Sequence, residues 1–99
     1  MKTIYKYPLE DRDPNQFGGF TVNIPNEAKV LSATVQNSKI VLYISVETDD
    51  LHTAEPRIIF IAGTGHMLPG EVEDVYNFIG TVEQASFVWH VYAEPGVPA

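Results

Sequence analysis

Cysteine is absent from the 99-residue chain, which rules out a disulfide framework, a thiolate nucleophile and cysteine-ligated zinc or iron–sulfur centres. No apolar run approaches the roughly 20 residues of a membrane helix, and the N-terminus lacks the apolar stretch of a signal peptide. A soluble, cytoplasmic protein is expected. Positive charge is scarce: 6 Lys and Arg stand against 13 Asp and Glu, a net charge of −7. That balance repels a polyanion at long range and argues against non-specific binding of long DNA or RNA. A small anion needs only a few local donors, so it stays within reach. Internal repeats, low-complexity tracts and dividing linkers are missing too, so residues 1–99 are expected to form a single β-rich domain, near the small end of what folds alone.

What is present is a large apolar share, 44% of residues, enough for one packed pair of layers. Strand signals dominate. In Lys39–Glu47, Ile40, Leu42, Ile44 and Val46 alternate with their neighbours at the period of a half-buried strand. With Asn37-Ser38 as the loop, Ala28–Gln36 pairs back on it, setting Val35 against Ile40, Ala33 against Leu42 and Leu31 against Ile44. A loop centred on Gln84-Ala85 likewise sets Gly80 opposite Trp89, Phe78 opposite Val91 and Val82 opposite Phe87, with Trp89 in the core. Thr3–Tyr7, Phe20–Ile24 and Arg57–Ala62 add three more strands, and Glu71–Phe78 is the one helix candidate, with Val72, Val75 and Tyr76 on one face. The predicted fold class is therefore mostly β: a small antiparallel sandwich or roll of about seven short strands with at most one short helix. Covering the edge strands of so small a domain favours a homo-oligomer, a dimer or tetramer.

The segment that invites a function is "IIFIAGTGHMLPG", residues 58–70, where an apolar strand stops at Gly63-Thr64-Gly65-His66. Glycines permit positive φ and close backbone approach, N–H groups can converge on a phosphate, and Thr64 and His66 add side-chain donors. A plain glycine turn with His66 capping a carbonyl fits the same residues. The loop matches neither the Walker-type nor the dinucleotide fingerprint. His52, His66 and His90 show no zinc-hydrolase spacing, and Glu71, Glu73 and Asp74 after His66 read more simply as a solvated acidic helix start. The serines lack a nucleophile elbow. Paired carboxylates from Glu10, Asp11 and Asp13, or from Asp49 and Asp50, lie in turn-rich stretches where acids are ordinarily solvated. No catalytic residue, metal or cofactor is assigned, and the protein is not expected to be an enzyme. Among the few basic residues, Lys6 and Arg57 are the counter-charges for an anion, with surface ion pairs as the alternative.

Taken together, "IYKYPL" (4–9), "AKVLSATVQNSKIVLYISV" (28–46), "IIFIAGTGH" (58–66), "FIGTV" (78–82) and "FVWHVY" (87–92) resemble, in order and spacing, a family of small bacteriophage proteins. That family is identified with the viral sponges that act against cyclic-oligonucleotide (CBASS) immunity. The resemblance implies an oligomer in the cytoplasm of the infected bacterial host that binds a cyclic dinucleotide or a related signal and withholds it uncleaved. It implies a ligand site in which Gly63, Thr64, Gly65 and His66 hold phosphate and Lys6 or Arg57 supplies charge. Tyr5, Tyr7, Tyr92 or Trp89 would then stack on a base. Two departures stand out: Ser38 where the family has glycine after "QN", and the acidic stretch between Leu9 and Phe17. Two rival readings are a nucleotide hydrolase using His66 or His90, and an acidic inhibitor that mimics nucleic acid and binds a host defence protein.

Overall fold

Alternation of inward and outward side chains organises the described strands into two facing sheets. The computed structural model describes residues 1–9, 18–25, 27–51 and 53–95. Strands β1 (Lys2–Pro8), β4 (Lys39–Glu47) and β3 (Lys29–Gln36) form one antiparallel sheet in the order β1-β4-β3. The second contains β2 (Gly18–Ile24), β5 (Glu55–Gly63), β7 (Phe87–Ala93) and β6 (Asn77–Gln84), in the order β2-β5-β7-β6. All adjacent strands are antiparallel. A 3-10 turn, Thr48–Asp50, leads out of β4, and one helix, α1 (Gly70–Val75), follows β5. The expected mostly β class is the architecture found, with seven strands and one short helix among the described residues.

The core lies where the two sheets face each other. Ile40, Leu42, Ile44 and Val46 of β4 are buried as the alternation requires, and they join one cluster with Ile59, Ile61, Val82, Trp89, Val91 and Ala93 of the second sheet. Burying each such aliphatic side chain contributes about 1.5–3 kcal/mol. The turn between β3 and β4 is Asn37-Ser38, both at positive φ (52° and 65°), the mirror-image turn whose twist suits a two-residue hairpin.

Three expectations are corrected. Val35 and Ala33 pair with Ile40 and Leu42 as expected, but a bulge between Val30 and Ser32 puts Val30, and not Leu31, opposite Ile44, so Leu31 is turned outward and exposed. The second hairpin turns at Ala85-Ser86, one residue later than the sequence suggested, with Ala85 at φ 56°. Val82 is therefore opposite Trp89, Gln84 opposite Phe87 and Gly80 opposite Val91; a bulge at Ile79 then leaves Phe78 beside Tyr92 on the outer face. The helix ends at Val75, before the predicted Phe78, because Tyr76 is already extended (ψ 151°) and Asn77 begins β6; Val72 is buried but Val75 is exposed. Of the candidate groups named from sequence, Glu10, Asp11, Asp13 and His52 lie outside the described residues.

Candidate functional site

At the end of β5 the chain reverses in a tight turn. The His66 amide donates to the Gly63 carbonyl at 3.0 Å, and Gly65 takes φ +87°, which side chains rarely tolerate. The Thr64 amide donates to the Val88 carbonyl at 3.2 Å. Two amides of the loop are thus committed inside the protein, so they do not converge on an open site as a backbone phosphate cradle requires. Gly63 has a packing reason of its own. A Cβ there would lie 2.7 Å from His66 Nδ1 and Cε1 and 3.3 Å from Trp89 Cζ3, so the missing side chain makes room for the imidazole.

The imidazole begins a row of rings. His66 and Trp89 have centroids 6.4 Å apart, and Phe87 stacks on Trp89 at 5.4 Å with planes 23° apart. Trp89 is 2% exposed, whereas Phe87 is 51% exposed and His66 is also exposed. Trp89 Nε1 donates to Gln84 Oε1 at 3.1 Å, and Gln84 Nε2 donates to the Ser38 carbonyl at 2.8 Å, which ties the two hairpin turns together beneath the rings. The strand period places residues 87 and 89 on one face. The sequence places Phe87 only as a strand residue opposite Val82; its exposure follows from its place beside the turn at the strand end.

On the opposite face of the same sheet, Thr64 and Thr81 hydroxyls lie 2.8 and 2.9 Å from His90 Nε2 and Nδ1. Both ring nitrogens are engaged, so His90 locks the turn to β6 and is poorly placed for proton transfer to a substrate.

The remaining predicted residues are dispersed. Arg57 sits near the start of β5, opposite Val22, while Gly63 ends the strand; at about 3.3 Å per residue they are about 20 Å apart. Lys6 and Tyr5 belong to β1 in the other sheet, on opposite faces, with Lys6 Nζ donating to Gln36 Oε1 at 3.2 Å. Tyr7 packs against the core. Tyr92 lies on the outer face, edge-on to Phe78 at 5.3 Å. Within one chain, only the four loop residues and Trp89 come together. Among the described residues no group of three or more His, Cys, Asp or Glu is arranged to hold a metal ion, and no helix is long and apolar enough to cross a membrane.

A family model described as a domain of unknown function, DUF7352, matches residues 1–98. The chain belongs to the DUF7352 family. No curated protein and no solved structure matches it. Since the DUF7352 description names no activity, the function is argued from the geometry of the site.

Proposed function

We propose that this DUF7352 protein is a binding protein that sequesters a cyclic oligonucleotide, most simply a cyclic dinucleotide, without cleaving it. It would do so as a phage immune-evasion protein in the cytoplasm of the infected bacterial host. The observation that supports this reading is the half-exposed Phe87 ring, stacked on buried Trp89, whose indole also lies 6.4 Å from the exposed His66 ring. A base stacked on such a platform gains about 1–3 kcal/mol, and the imidazole beside it supplies a donor to a phosphate. Trp89, Gln84 and Ser38 hold that arrangement before any ligand arrives, which lowers the ordering cost of binding. His66 takes over the phosphate contact first assigned to the loop backbone. A homo-oligomer, dimer or tetramer, brings two such ends to one ligand with two bases. Strand β1, at a sheet edge with Ile4 and Tyr5 exposed, is the surface we assign to subunit contact.

The test is to mix the purified protein with a panel of cyclic di- and trinucleotides, pass it through a size filter, heat-denature the retained protein and chromatograph what is released. One nucleotide recovered intact is the expected result. Linear products would replace this reading with a hydrolase, and passage of every nucleotide unchanged would redirect the search to a protein partner of the acidic surface.

A further inference from the structure

At the other end of β5, Arg57 is 2% exposed and is the only charged residue buried among the described residues. Its Nη1 donates to the Ala28 carbonyl at 2.7 Å, while Nη2 is buried with no hydrogen-bond partner among the described residues. No described carboxylate forms an ion pair with it. A guanidinium stays protonated at any ordinary pH, so burial cannot be relieved by losing the charge. A buried cation left unpaired is costly, and native proteins normally supply a partner.

Beside this guanidinium lies a cavity of about 260 Å³ whose lining includes Arg57, Val30, Asn77, Ile79, Ala93 and Glu94. We propose that the cavity binds a small monocarboxylate, with the carboxylate on the Arg57 guanidinium and a short alkyl tail against Val30, Ile79 and Ala93. The planar fork of arginine matches the two oxygens of a carboxylate. Lys29 lines the cavity together with Glu27 and Glu94, so the charges around it, Arg57 included, balance. With no net positive charge on the lining, a phosphate dianion is harder to neutralise there than a monoanion, which the one buried guanidinium matches. Glu94 is turned to the backbone, its Oε1 accepting from the Ile58 amide at 3.3 Å, and it forms no ion pair with Arg57. The site is separate from the ring row at the other end of the strand and does not depend on the nucleotide reading.

The experiment titrates the full chain with sodium acetate, propionate, butyrate and phosphate at constant ionic strength, with chloride as the reference. It follows the Arg57 side-chain Nε–Hε resonance and the melting temperature. Propionate or butyrate should give a saturable shift of that resonance and raise Tm, and phosphate should do no more than chloride. Arg57→Met should abolish the response, Arg57→Lys should weaken it about tenfold or more through loss of the fork, and Glu94→Gln should tighten binding severalfold. Absence of a saturable carboxylate response, an equal response to phosphate, or undiminished binding in Arg57→Met would each overturn the assignment. If Arg57→Met does not fold, Glu94→Gln still decides: unchanged carboxylate affinity in that variant contradicts the proposed geometry.

Discussion

At the start of β5 a charged side chain is sealed inside the protein with one of its donors unspent; at the end of the same strand a histidine lies in the open above a glycine that makes room for it. Arg57, Ile59, Ile61 and Gly63 alternate along one strand and share its inner face, so both ends close the same core. The Arg57 end has burial without a full set of partners. The His66 end has partners in place, in rings and in hydrogen bonds to Gln84 and Ser38, and leaves one aromatic face exposed. On this difference rest both proposals, an anion inside the first end and a flat base on the surface of the second.

The sharpest break in this comparison comes from truncating the rings. Trp89→Ala should cost about 3–5 kcal/mol, whereas Phe87→Ala, which removes a half-exposed ring, should cost no more than about 1 kcal/mol; denaturant melts of the two variants measure both. Comparable losses would mean that Phe87 is core and not platform. Arg57→Met, which keeps much of the volume and removes the unpaired charge, should move stability by no more than about 2 kcal/mol in either direction. A collapse on that substitution would make Arg57 a structural keystone and the two ends alike.

Backbone strain gives the next effect. Ser38 and Ala85 hold positive φ without being glycine, so Ser38→Gly should raise stability by about 1 kcal/mol, read as a shift in the urea midpoint. Thr81→Val, which removes one of the two hydroxyls on His90, should cost about 1 kcal/mol, and a double-mutant cycle with Thr64→Val should be non-additive because both act through one ring.

The smallest effect lies away from both ends. The N-terminal ammonium of Met1 pairs with Glu47, and that hydrogen bond and charge hold its pKa above the ordinary value of 8.0. A raised folded value means that this contribution is complete below pH 8 and fades as pH rises through the folded pKa. N-terminal acetylation should erase that slight alkaline slope in the melting temperature.

How far the sequence reaches can be judged strand by strand. The bounds and register of Lys39–Glu47 are legible because its apolar alternation admits one register, although Val41, on the face expected to be open, is buried as well, and Asn37-Ser38 announces its turn. Leu31 misled because a bulge adds one residue without altering the apolar pattern around it. The second hairpin was misread by one step because Ala85 takes a positive φ that composition does not announce. In the candidate site, Gly63–His66 stood out as a break, but a glycine cleared for an imidazole and one cleared for a phosphate look the same in one dimension. Arg57 was read as a counter-charge at the loop, since charged residues are rarely buried and a strand's two ends lie close in sequence yet far apart in space.

The most direct test of the central claim is nucleotide retention by the wild type, His66→Ala and Arg57→Met side by side, each checked for native oligomeric state. The account predicts that the wild type and Arg57→Met retain the same cyclic nucleotide intact and that His66→Ala releases it. Retention unchanged in His66→Ala, or lost only in Arg57→Met, would contradict it.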